Sequence, residues 1–151
     1  MPDIVDPETR SRMMSGIKGK NTKPELMVRK ALHARGFRYR LHDRKVPGKP
    51  DMVFPKWNAV IFVNGCFWHG HDCHLHKMPS TRAAFWKEKI ERNRQRDDTV
   101  RMMLWDTGWR VLTIWECALR GREKIGLDAV VDRVAGWLCS DSGSTEIRGA
   151  A

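Results

Sequence analysis

One run of ten residues constrains this chain more than any other: Gly65-Cys66-Phe67-Trp68-His69-Gly70-His71-Asp72-Cys73-His74. Thiolate sulfur and imidazole nitrogen are the donors that zinc takes in tetrahedral sets of four. Cys66, His71 and Cys73 can supply three donors from one tight loop, and Gly65 and Gly70 let that loop fold back. The fourth must come from elsewhere in the chain. Cys117, in Ile114-Trp115-Glu116-Cys117, is the natural candidate, because a sulfur there fastens the loop to a buried strand. A closed set of four is structural rather than catalytic. His74 and His76 could replace His71 on spacing alone. The spacing is not that of a standard zinc finger. Ordinary buried thiols beside solvated histidines are the bland alternative, and the density of donors argues against it. Cys139 has no nearby partner ligand and reads as a small core or surface residue.

Charge narrows the partner. The 28 Lys and Arg residues against 18 Asp and Glu leave a net charge of +10. A small protein this basic meets a polyanion, unless the charge serves solubility alone. Seven tryptophans strengthen the nucleic-acid reading, since an indole stacks on bases, although most are expected in the core. A length of 151 residues and 41% apolar composition suit one globular domain. No run approaches the roughly 18 apolar residues of a membrane span. The start, Met1-Pro2-Asp3-Ile4-Val5-Asp6, does not resemble a signal peptide. A cytoplasmic setting follows, where thiols stay reduced and disulfides are unexpected. Thiol redox chemistry ranks low, because no Cys-x-x-Cys occurs.

The expected architecture is a single α/β domain with a small central mixed sheet flanked by helices. Residues 7–17 read as a short basic helix. Thr22 to Arg35 read as a second, with Thr22 and Glu25 at capping-box spacing, Pro24 in the first turn and Gly36 as the stop. Phe37 to Leu41 alternate like a strand. Asp51 to Phe54 and Ala59 to Val63 flank Pro55-Lys56-Trp57-Asn58 as a hairpin. A charged helix is expected from about Thr81 to Asp106, a buried strand from Val111 to Trp115, and an amphipathic helix carrying Leu127, Val130, Val131, Val134 and Leu138. The domain is expected over 1–139, with an N-terminal arm and helix over 1–20 and a flexible tail over 140–151.

Catalytic candidates begin at Lys49-Pro50-Asp51. Pro-Asp followed by two strands resembles the PD-(D/E)-x-K nuclease fold. There an aspartate at a strand start binds magnesium, a hard cation that takes oxygen ligands and polarises the phosphodiester. The second half of that signature is missing: Phe62-Val63-Asn64 offers neither an acid nor a lysine. His69 is the replacement base, because imidazole titrates near neutrality and can take a proton from water. The alternatives are a turn-capping role for Asp51, a zinc-supporting role for His69 and a capping-box role for Glu25.

The residues then match a known family. Thr9-Arg10-Ser11-Arg12-Met13-Met14, Pro47-Gly48-Lys49-Pro50-Asp51, Gly65 to His69, Thr81-Arg82, Phe85-Trp86 and Trp115 to Arg122 resemble the very-short-patch repair (Vsr) endonucleases over residues 7–139. The resemblance implies a restriction-endonuclease-like fold. It implies an enzyme that nicks DNA on the 5′ side of a thymine mispaired with guanine, the product of 5-methylcytosine deamination. By the same resemblance Asp51 and the Val63 carbonyl hold magnesium, His69 is the general base and Glu25 supports the site. Cys66, His71, Cys73 and Cys117 match the family's zinc ligands. Phe67, Trp68 and Trp86 are implied as an aromatic wedge at the mismatch, Lys89 and Asn93 as contacts to the mispaired bases, and Met14 as a contact from the other groove.

Plainer roles exist for each: core packing for Trp86, a cover on the loop for Phe67 and Trp68, a solvated face for Lys89 and Asn93, and ordinary packing for Met14. One departure matters. Members often carry a histidine where this chain has Asn64, which donates a hydrogen bond but delivers no proton near neutral pH. The competing functions are a non-catalytic zinc module that binds DNA and a same-fold nuclease with broader targets. An asymmetric mismatch and one small domain suggest a monomer.

Overall fold

The computed structural model describes residues 22–150. The expected helix over 7–17, the arm over 1–20 and Met14 lie outside the described residues.

Helix α1 spans Lys23–Ala34. Its N-cap is Thr22, whose hydroxyl accepts the Glu25 N–H at 3.4 Å, with Pro24 in the first turn. Gly36 ends it in the left-handed conformation, φ 95°, which glycine adopts without steric penalty. Strand β1 is only Arg40–Leu41. The expected longer strand from Phe37 does not form; Phe37 packs its ring on Trp57 and Tyr39 on Phe54 instead.

Strands β2 (Met52–Phe54) and β3 (Ala59–Asn64) form the expected hairpin around a 3-10 turn at Pro55–Trp57. Asn58 closes that turn in the left-handed region that Asn tolerates, φ 50°. Helix α2 (Ala83–Asp106) crosses to β4 (Arg110–Trp115), which lies parallel to β3. Helix α3 (Leu127–Leu138) then leads to β5 (Thr145–Ile147), parallel to β4. The sheet order is β1-β2-β3-β4-β5, antiparallel in the first half and parallel in the second.

Strand periodicity sorts the core into two layers. Met52, Phe54, Ala59, Ile61, Leu112 and Ile114 face α1 and α3, where Val28, Leu32, Val130, Val131, Val134 and Leu138 meet them. The alternate residues Val53, Val60 and Val111 face α2 through Leu104. Burying each such Val, Leu or Ile side chain stabilises the fold by about 1.5–3 kcal/mol. The α/β domain with a mixed sheet between helices is as expected.

The flexible tail is a correction. From 140 onward the chain was expected to be loose, yet Thr145–Ile147 pair with β4 and Ile147 is buried. Ser144 anchors this strand, its hydroxyl accepting from Trp105 Nε1 at 2.7 Å and from the Val111 N–H at 2.9 Å. A three-residue parallel edge strand is held by partners far off in the chain, so local composition carries no sign of it. Among the described residues no helix is long and apolar enough to cross a membrane.

Candidate active site and metal centre

The turn Gly48-Lys49-Pro50 delivers Asp51 to the mouth of the hairpin, with Gly48 and Lys49 both at positive φ. Asp51 Oδ2 accepts the Val63 N–H from β3 at 2.6 Å, which pins the carboxylate across the two strands. Glu25 arrives from the first turn of α1 and is 1% exposed. Its Oε2 receives Arg29 Nη1 at 2.9 Å and lies 3.0 Å from His42 Nε2. His42 Nε2 is also 3.8 Å from Asp51 Oδ1. Two carboxylates thus share one pocket. Burial raises the Asp51 pKa to about 7, against the pull of the Val63 N–H, and the Glu25 charge pushes the same way.

The capping alternative for Glu25 is therefore half the account. Its backbone is capped by Thr22, while its carboxylate turns into the Asp51 pocket. His42 escaped sequence reading, because a lone histidine after a two-residue strand has no periodic or spacing signal.

The second cluster is the cysteine–histidine loop. Cys66, His71, Cys73 and Cys117 offer donor atoms that all lie within 4.8 Å of one another. Cys117 Sγ and His71 Nδ1 are 3.6 Å apart. Two donors on one tetrahedral ion, with metal–sulfur of about 2.3 Å and metal–nitrogen of about 2.0 Å, would be separated by about 3.5 Å. The donor set fits a metal. Burial pushes the Cys66 and Cys117 thiols up, so without an ion they hold their protons. Burial lowers the His71 pKa, favouring the neutral ring a ligand needs.

Several contacts brace this cage. The Cys117 N–H donates to Cys66 Sγ at 3.3 Å, and the Gly149 N–H donates to Cys117 Sγ at 3.3 Å. Trp115 stacks on His71 at 4.0 Å and 8°, and its Nε1 donates to Glu146 Oε2 at 2.9 Å. His71 Nε2, buried and without a hydrogen-bond partner among the described residues, faces Asp72 Oδ1 at 3.7 Å. Arg148 holds that same oxygen at 2.8 Å. Strand β5 and the two residues after it thus brace the cage. His74 stands outside it, with Nδ1 3.2 Å from Glu123 Oε2, so the choice left open by spacing falls on His71.

Between the two clusters the loop projects Phe67, Trp68 and His69. His69 Nδ1 lies 2.5 Å from Asp97 Oδ2 on α2. Asn93, one turn earlier, donates Nδ2 to the Trp68 carbonyl at 2.9 Å. Trp86 packs against Phe67 and Trp68 with centroids 5.6 and 5.7 Å apart. It belongs to neither main core cluster, so core packing does not account for it. Lys89 Nζ sits 5.6 Å from the Trp68 ring and 5.9 Å from that of Trp86. Spacing i, i+3, i+7 on α2 puts Trp86, Lys89 and Asn93 on one face, as the sequence suggested.

A cleft of about 760 Å³ joins these parts. Asp51, Val63, Asn64, His69 and Asp97 line it together with Phe67, Trp68, Lys89 and Asn93. Lys49, Arg96 and Arg120 add positive charge to the same walls. Asp51 and His69 therefore face one space. Three residues here were missed from sequence: Asp97, Arg96 and Arg120, all within charged stretches where one member looks like the next.

Comparison with known proteins identifies the chain's relatives. The family described as DNA mismatch endonuclease Vsr matches residues 2–75. The chain is 44% identical over 147 residues to DNA mismatch endonuclease Vsr of Escherichia coli (strain K12), covering 97% of this chain and 94% of that protein. It is 47% identical over 119 residues to the type II nicking enzyme V.XorIIP of Xanthomonas oryzae pv. oryzae, with 79% and 88% covered. It is 43% identical over 122 residues to the type II nicking enzyme V.NmeAIP of Neisseria meningitidis, with 81% and 87% covered.

Proposed function

The chain belongs to the Vsr family of DNA mismatch endonucleases, and from that premise we propose that it nicks one DNA strand on the 5′ side of the thymine in a T·G mismatch. The observation that carries this reading is the shared cleft, which Asp51 and His69 line together with Phe67 and Trp68, the two rings that Trp86 packs against.

Asp51 would hold a magnesium ion, with Glu25 supporting the pocket and, by the family resemblance, the Val63 carbonyl as a further ligand. When bound, that ion polarises the phosphodiester and offsets charge on the leaving oxygen. His69 takes a proton from the attacking water, which then forms the new bond to phosphorus as the bond to the leaving oxygen breaks. Asp97 orients the imidazole and offsets the charge it gains. Asn64 borders the reacting centre and donates a hydrogen bond only, so the leaving oxygen takes its proton from solvent.

The cage of Cys66, His71, Cys73 and Cys117 suits zinc in a closed, structural role: it fixes the loop that carries His69 and the wedge. Phe67, Trp68 and Trp86 open the weakened step, while Lys89 and Asn93 read the mispaired bases. Lys49, Arg96 and Arg120 suit phosphate contacts along the cleft. The fold of this family is taken as restriction-endonuclease-like. The enzyme acts as a monomer in the cytoplasm.

The test uses end-labelled duplexes with T·G or matched pairs, incubated with magnesium. A nick beside the mismatch, absent in Asp51→Ala and His69→Ala, is expected. Equal cutting of matched duplex would point to a nuclease with broader targets. Binding without cutting would point to a non-catalytic DNA-binding module.

A further inference from the structure

We infer that His42 is a direct ligand of the cation held at Asp51, making a mixed nitrogen–oxygen site that binds manganese(II) more tightly than magnesium. The inference rests on the proposed cation site.

His42, Glu25 and Asp51 reach one point from three places: the turn after β1, the first turn of α1 and the start of β2. Their ligand atoms lie within 4.8 Å of one another. The 3.0 Å separation of His42 Nε2 from Glu25 Oε2 is that of neighbouring ligands on an octahedral ion, which at about 2.1 Å each would be about 3.0 Å apart. The backbone aims the ring there. His42 sits at φ 47°, a region that non-glycine residues rarely adopt, and its N–H donates to the Asp51 carbonyl at 3.4 Å. That backbone conformation and the hydrogen bond to Asp51 fix where the ring can point.

Charge explains why a nitrogen donor matters. Arg29 already pairs with Glu25 Oε2 at 2.9 Å and offsets one of the two carboxylates. What remains attracts a hard dication less than two free carboxylates would. A neutral imidazole adds a donor that manganese and later transition ions accept and that magnesium takes reluctantly. The competing account of the same 3.0 Å contact is a hydrogen bond from His42 to Glu25 with no ligation.

Electron paramagnetic resonance of manganese(II) bound to the zinc-loaded, full-length protein decides between them. A nitrogen hyperfine coupling is expected in the parent and absent in His42→Gln. Manganese affinity should fall by roughly tenfold or more in that variant, and magnesium affinity by less than about threefold. Zinc content and circular dichroism verify folding, with His42→Asn as the second variant if His42→Gln misfolds. No coupling in the parent, coupling that persists in His42→Gln, or equal weakening of both ions would overturn the inference. Asp51→Asn separates the two layers: manganese binding that survives it removes the cation site itself, whereas loss there with His42→Gln unaffected removes only the ligand role of His42.

Discussion

His69 Nδ1 and Asp97 Oδ2 stand 2.5 Å apart, joining the cysteine–histidine loop to α2 in the cleft. That contact leaves the opposite ring nitrogen to take the proton in the proposed reaction. Asp97→Asn keeps the shape but removes the charge and allows the wrong tautomer. Nicking is expected to fall by roughly 10²-fold or more, with duplex affinity unchanged. Single-turnover rates at saturating enzyme measure this; a fall of less than about threefold would show that His69 needs no orienting carboxylate.

Asp51 makes the metal-free protein pH-sensitive. Its folded pKa is about 7 against 3.8 for the unperturbed carboxyl, so between these values the folded state binds the proton more tightly than the unfolded chain. The contribution to stability is present below about pH 4, fades as pH climbs towards about 7, and stays absent above. Asp51→Asn should therefore stabilise the protein by on the order of 2 kcal/mol at pH 8 without added magnesium, and leave it unchanged near pH 4. Urea unfolding at both pH values checks this; destabilisation at pH 8 would contradict it.

The thiols predict how the cage responds to metal loss. Cys66 and Cys117 hold their protons when empty, so zinc binding must release protons and weaken as pH falls. Cys117→Ser should lose zinc and free the loop from β4, lowering mismatch binding together with cutting. Stoichiometric zinc retained in that variant would remove Cys117 from the ligand set.

The residues that follow β5 should matter to the same cage. A Cβ on Gly149 would lie 2.6 Å from the Cys117 carbonyl oxygen and 2.7 Å from that of Glu123, both backbone atoms that cannot swing aside. Gly149→Ala is expected to cost about 1–3 kcal/mol and to speed zinc loss to a chromophoric chelator. Arg148→Ala, which frees Asp72, should speed zinc loss with less effect on global stability. Zinc loss at the parent rate in both variants would make Arg148 and Gly149 irrelevant to the cage.

The wedge is separable from the chemistry. Trp86→Ala should reduce discrimination between T·G and matched duplex by roughly tenfold or more, while thermal stability shifts little, since Trp86 lies outside the main core clusters. A large fall in melting temperature would restore the packing role.

Much of this molecule was legible in its residues. Zinc-type donors announce themselves, because sulfur and imidazole crowded into one loop have few other uses. The hairpin, α2, β4 and α3 follow from hydrophobic period, which repeats along the chain and needs no partner to be seen. Asp51 was marked by its place at a strand start and His69 by its neighbours.

What tertiary structure alone decided are meetings between distant residues. His42 joined Glu25 and Asp51, Asp97 found His69, and Gly149 capped Cys117. β5 formed on β4 although its three residues look like a loose end. None of these pairings has a local signature. Each side chain or short strand gains its role from an atom brought near by the sheet, and that proximity is a property of the packed chain rather than of any stretch within it.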